Sequence, residues 1–122
     1  MINRPTVFLL CALALTAGTA PAMAENLFGA IAFSSASGKI GFGKNYAAKG
    51  DAATEAVSQC GAGDCATVVV FPACGAVAVG DGYGYGFSAD KSIAKAEETA
   101  LSNCNGYTAN CLITMSVCND GT

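Results

Sequence analysis

Small and large apolar side chains alternate along two stretches, Phe28 to Ser34 and Gly75 to Gly80. Ile31 and Phe33 fall on one face and Ala30 and Ala32 on the other, the two-residue period of a strand. After the second stretch come Asp81-Gly82 and then Tyr83-Gly84-Tyr85-Gly86-Phe87. Asp-Gly between alternating runs predicts a two-residue hairpin, because glycine accepts the positive φ that the turn requires. The first stretch reaches its partner, Ile40-Gly41-Phe42-Gly43, by a longer link, Ser35 to Lys39. In both partner strands glycine alternates with large residues, so one face is bare backbone, as where another element approaches closely. The large residues are expected to fill the core of a small domain. An exposed binding row of Tyr83, Tyr85 and Phe87 is the functional alternative.

The period then becomes helical. Ser92 reads as an N-cap, followed by Ile93, Ala96, Ala100, Leu101 and Cys104 at spacings of three and four, with a stop at Asn105-Gly106. An earlier helix is expected from about Asp51, as its cap, to Cys60, with Ala53, Ala56, Val57 and Cys60 as the apolar face and Gly61 as the stop. Each helix is followed by a strand, Ala66 to Phe71 and Leu112 to Val117. The first is β-branched and nearly all apolar, which reads as a strand covered on both sides.

These elements occur twice in the same order. Residues 29–74 and 75–118 align so that Gly29-Ala30-Ile31-Ala32 falls on Gly75-Ala76-Val77-Ala78, and Cys60, Cys65 and Cys74 fall on Cys104, Cys111 and Cys118. The expected fold is α+β: two tandem strand-strand-helix-strand repeats related by a pseudo-twofold, with six mostly antiparallel strands, two helices and three disulfides.

The first 24 residues change the reading of compartment. They carry Arg4, an apolar run from Val7 to Leu15, and the small-residue ending Ala22-Met23-Ala24. That is the layout of a secretory signal peptide cleaved after Ala24, and the run is too short to span a membrane. The rest, residues 25–122, is expected to form one exported domain, periplasmic or extracellular, with no membrane insertion after cleavage. It holds five lysines against nine acidic residues and no arginine, a net charge of −4. Nucleic acid is therefore not an expected partner.

Of the seven cysteines, Cys11 leaves with the leader, and six in an exported domain read as three disulfides. Spacing alone leaves many connectivities open. The pseudo-twofold makes the simplest set Cys60 with Cys65, Cys104 with Cys111, and Cys74 with Cys118. The chain has no histidine and no C-x-x-C, so no metal is expected, and a thiol-redox role is only an alternative.

At this point the residues resemble a known family. The G-A-[IV]-A opening, the Gly and aromatic second strand, the Ala-rich helix ending in Cys, and Ala73-Cys74-Gly75-Ala76-Val77-Ala78-Val79-Gly80 are similar to the exported bacterial domain of unknown function 4189 family. The resemblance spans the mature chain. The family often has Trp where this chain has Phe28, Phe42 and Tyr85, so the positions stay aromatic without an indole N–H. The resemblance carries over no catalytic residues.

Candidate chemistry is sparse. Without histidine there is no Ser-His-Asp or Cys-His site. Glu97 and Glu98 are neighbours, and neighbours on a helix do not face each other. Ser92 and Lys95 lie one turn apart, which an N-cap and a surface lysine explain. The glycine clusters at 61–63 and 80–84 match no phosphate-binding pattern, and Asp64 and Asp81 are too few for a calcium loop. The leading expectation is an exported interaction module that binds a protein or envelope component, as an inhibitor or secreted effector. An enzyme with an unusual Ser/Lys or carboxylate site is the alternative. No cofactor is expected.

Overall fold

The computed structural model describes residues 27–121. The leader of residues 1–24 lies outside them. The chain runs β1 (Phe28–Phe33), β2 (Ile40–Tyr46), α1 (Lys49–Cys60), β3 (Ala66–Phe71), β4 (Cys74–Val79), β5 (Tyr85–Asp90), α2 (Ile93–Asn105) and β6 (Leu112–Cys118). Each repeat builds its own three-stranded antiparallel sheet, in the orders β2-β1-β3 and β5-β4-β6. This is the α+β architecture of two strand-strand-helix-strand units.

The strand alternation sets the layers. The small face of β1, Ala30 and Ala32, lies beneath Ala52, Ala56 and Cys60 of α1. Its counterpart on β4, Ala76 and Ala78, lies beneath Ala96, Ala100 and Cys104 of α2. The large faces meet between the sheets, where Ile31, Val69, Phe71 and Val77 are buried and Ile40, Val79, Tyr85, Met115 and Val117 close around them. The sequence of layers is helix, sheet, sheet, helix.

The bare glycine faces explain how closely the helices sit. A Cβ on Gly41 would lie 2.5 Å from the Ala56 carbonyl oxygen of α1, and one on Gly86 would lie 2.6 Å from that of Ala100 in α2. Only glycine leaves room for helix backbone at that distance. The two positions are thus equivalent in the repeats, which makes Phe42 the counterpart of Phe87. Both project from the opposite face of their strands and stay about 40% exposed (39% and 44%).

Several boundaries differ from the sequence reading. α1 begins at Lys49 with Ala48 at its cap, so Asp51 lies in the first turn, where its charge suits the positive end of the helix dipole. The buried row is Ala52, Ala56 and Cys60, while Ala53 is half-buried and Val57 exposed. On α2 the row is Ala96, Ala100 and Cys104, with Leu101 half-buried and Ile93 exposed. Close approach to the glycine strands selects the smallest side chains for the interface. Ser92 does cap α2, its side chain accepting a hydrogen bond from the Lys95 N–H.

Strands β3 and β6 are edge strands, so the expected two-sided cover of β3 is incomplete: Ala66 is exposed and Thr67, Val68 and Val70 are half-buried. Each edge carries a register shift, between Val69 and Thr67 in β3 and between Met115 and Ile113 in β6. Such bulges discourage edge-to-edge pairing.

The Asp81-Gly82 turn is also longer than two residues. Gly80 N–H bonds Gly84 O at 2.8 Å, and Asp81–Tyr83 form a 3-10 turn with Gly82 at φ 65° and Tyr83 at φ 61°. Long-range bonds impose this shape. Asp81 N–H donates to Ala109 O (2.9 Å), Thr108 Oγ1 donates to Asp81 O (2.8 Å), and Asn110 Nδ2 donates to Asp81 Oδ2 (2.9 Å).

Disulfides join Cys60 to Cys65, Cys104 to Cys111 and Cys74 to Cys118, the pairs singled out by the duplication. Cys74 is the first residue of β4 and lies opposite Cys118 in register, so the third bridge closes the second sheet on itself. Beside the apolar layer between the sheets, a polar clasp also joins the repeats. Asn119 Oδ1 accepts from Asn45 N–H (2.9 Å), and its Nδ2 donates to Phe71 O (3.2 Å) and Leu27 O (3.4 Å). Asn45 Oδ1 in turn accepts from the N–H groups of Asp120 and Gly121, both at 3.0 Å.

Candidate functional site

Displacement of Tyr83 from β5 into the turn creates the most distinctive surface feature. Gly82, Tyr83, Gly84, Tyr85, Phe87 and Tyr107 line an open groove of about 360 Å³. β5 supplies Tyr85 and Phe87 at two-residue spacing, with ring centroids 6.5 Å apart. Behind them Phe33 of the first repeat meets Tyr85 at 5.1 Å with the rings tilted, a contact that fixes the Tyr85 ring from the core side.

Tyr83 leans on the β1–β2 loop. A Cβ on Gly38 would stand 2.6 Å from the Tyr83 ring, so glycine at that position, with φ 74°, is what lets the ring settle there. Tyr107 follows the end of α2 and is 84% exposed. The groove therefore draws on both repeats: the first braces the rings and the second presents them.

Tyr83 and Tyr85 are brought together on this surface, and Phe87 joins them. Tyr85 has a double placement, since it also borders the layer between the sheets. Tyr107 was not legible as part of the row. Its position depends on the loop closed by the Cys104–Cys111 bridge and held to Asp81. An aromatic residue in an otherwise polar loop was the only local signal.

A second groove, of about 540 Å³, lies on the other edge of the sandwich between β2, the start of α2 and β6. Phe42, Ile93, Met115 and Val117 give it an apolar floor, and Lys44 and Asp120, paired at 3.0 Å, stand at its rim.

The remaining polar candidates hold structure together. Ser34 is fully buried and donates to Asp64 Oδ1 at 2.6 Å, while accepting from Ser37 N–H (3.1 Å) and Ser37 Oγ (2.9 Å). The hydrogen bond from Ser34 holds the Asp64 carboxyl below its ordinary range, against a smaller opposing effect of burial. This pair ties the β1–β2 loop to the loop closed by Cys60–Cys65. Glu97 Oε1 accepts from Ser116 Oγ at 3.0 Å, which secures α2 to β6. Glu98 is exposed. Among the described residues no group of three or more Cys, Asp or Glu is placed to hold a metal ion.

The groove can supply stacking area and phenolic hydroxyls. Comparison with known proteins is consistent in fold. The chain is similar to the NMR structure of Rv1813c from Mycobacterium tuberculosis, with a TM-score of 0.62 and 26% sequence identity over 77% of this chain and 76% of that one. No curated protein matches it. A family model matches residues 28–118, from the first residue of β1 to the last of β6, and the chain belongs to that family, the Domain of unknown function (DUF4189).

Proposed function

We propose that this protein is an exported binding module, not an enzyme, that holds a protein or envelope component in the groove of Tyr83, Tyr85, Phe87 and Tyr107 and acts as an inhibitor or secreted effector. One observation carries this reading. Three of the four tyrosines in the chain gather in a single exposed groove. Tyr83 and Phe87 are each 44% exposed there, whereas Phe33 and Phe71 are buried in the core. Tyrosine offers a large contact area at a small cost in side-chain freedom, and aromatic residues are enriched where partners bind.

Two features support export. The leader has the signal-peptide pattern, and six cysteines form three bridges. Disulfides of this kind persist in oxidising compartments.

Affinity capture with the oxidised, exported protein from culture fluid and envelope fractions tests the proposal. Tyr83→Ser and Tyr107→Ser should each reduce recovery of a specific partner, while Phe42→Ser, in the second groove, should leave it unchanged. Equal capture by wild type and both tyrosine variants, with the fold intact, would sink the reading.

A further inference from the structure

Resting on the aromatic groove as the binding site and on a protein as its occupant, we infer that the group held there is an arginine side chain from a basic segment of the partner. The lining presents four aromatic rings, Tyr83, Tyr85, Phe87 and Tyr107, and no charged side chain. Ring faces carry the negative part of the aromatic quadrupole, so they attract a cation and offer an anion nothing.

The fold does not itself require an aromatic residue at each of these positions. Phe87 is the counterpart of Phe42, which puts Ile40 of β2 at the place that Tyr85 takes in β5. Both border the layer between the sheets, so an aliphatic residue meets the packing need in the first repeat. Tyr85 adds a ring that also lines the groove.

The charges beside the groove have the matching sign. Asp81 immediately precedes the lining residue Gly82, is exposed, and is held by Asn110 Nδ2 at 2.9 Å. Tyr83 leans on Gly38 of the β1–β2 loop, and Asp64 is bonded to the same loop through Ser34 and the Ala36 N–H. The hydrogen bond from Ser34 keeps that carboxyl ionised. Lys39 is the one cation of the loop, so two carboxylates stand against one ammonium, in a mature chain of net charge −4. Such a field steers a basic segment toward this surface and turns an acidic one away.

Arginine suits the groove better than lysine. Its guanidinium is flat, weakly hydrated and always charged, so it stacks on a ring while its edge donates to phenol oxygens or a carboxylate. A lysine ammonium is strongly hydrated and would keep its water in so open a groove. The ring faces are also set before binding: Phe33 backs Tyr85 at 5.1 Å and Gly38 seats Tyr83, which limits the ordering cost.

The test is an NMR titration of the oxidised protein with Gly-Ser peptides of equal length that carry arginine, lysine or citrulline at the same positions. Citrulline has the shape of arginine without its charge. The arginine peptide should shift the amides of Gly82, Gly84 and Tyr107 saturably, and the citrulline peptide should bind at least about 5-fold more weakly. Tyr107 is 84% exposed, so Tyr107→Leu removes a ring without disturbing the core or the net charge. That change should weaken arginine binding roughly 2- to 5-fold. A general attraction between a basic peptide and an acidic protein would leave the affinity unmoved. Asp81→Asn should weaken binding as well, and more at low salt than at high salt. Absence of saturable arginine shifts at these amides overturns the inference, as does equal binding of the lysine or citrulline peptide or unchanged affinity in either variant. If the citrulline peptide shifts the same amides as strongly, the arginine inference falls and the groove remains a binding site. If partner capture is also insensitive to Tyr83 and Tyr107, the function proposed for the groove falls with it.

Discussion

Replacing Gly86 by alanine puts the close contact between β5 and α2 to a direct test. The new Cβ would stand 2.6 Å from Ala100 O and 2.7 Å from Cys104 Cα, and nearer still to Cys104 N. All three are helix backbone, so no side-chain rotation can relieve the overlap. Ordinary van der Waals contact requires α2 to move by about 1 Å, yet its C-terminal end is tethered by Cys104–Cys111 and its other end is capped by Ser92. Overpacking of a tight core costs about 1–3 kcal/mol, and this site belongs at the upper end because the obstruction is rigid. For a domain of this size a loss of about 3 kcal/mol lowers Tm by roughly 12–24 °C. Gly50→Ala is the matched control: Gly50 lies within α1, and a Cβ there meets nothing within 4 Å. That change should be neutral or raise stability by up to about 1 kcal/mol, since alanine loses less chain entropy in a helix. Thermal and urea unfolding of the oxidised proteins reads both. A Gly86→Ala protein as stable as wild type would refute the account of how the helices seat on the glycine strands.

Two further outcomes are expected. Replacing both Cys74 and Cys118 by alanine should destabilise by about 4 kcal/mol, against about 2 kcal/mol for Cys60 and Cys65, because the first pair closes the longer loop; equal losses in urea unfolding would contradict that ranking. The Asp64 carboxyl titrates below its unfolded value, so its contribution to stability is complete above the ordinary carboxylate range and is lost as pH falls through the folded pKa. Ser34→Ala should bring the Asp64 midpoint back up in a carboxyl NMR titration, and an unmoved midpoint would show that Ser34 is not the cause.

The strand period and the duplication were legible because they depend on local chemistry. Ala30, Ile31, Ala32 and Phe33 alternate for a reason that any pleated strand imposes, and the structure puts the small pair beneath α1 and the large pair toward the other sheet. The glycines of β2 and β5 announced a close neighbour without naming it. The helix faces were harder to read: Ala53 and Val57 satisfy a 3.6-residue period as well as Ala52 does. Tertiary approach of Gly41 and Gly43 to α1 decided between them. Asp81-Gly82 failed as a two-residue turn because its strongest partners, Ala109, Thr108 and Asn110, lie in a loop far along the chain.

The sequence by itself determined the repeat unit, the alternation of small and large faces, and cysteine positions that the duplication could pair. These follow from side-chain volume, backbone period and loop length. Only the tertiary structure decided that each repeat forms a separate sheet, that Cys74–Cys118 lies within the second one, and that Asn119 clasps Asn45 across the junction. It also gathered Tyr107 with Tyr83, Tyr85 and Phe87 into one groove. Those outcomes depend on contacts between residues distant in the chain, where hydrogen-bond satisfaction and close backbone packing outweigh local preference.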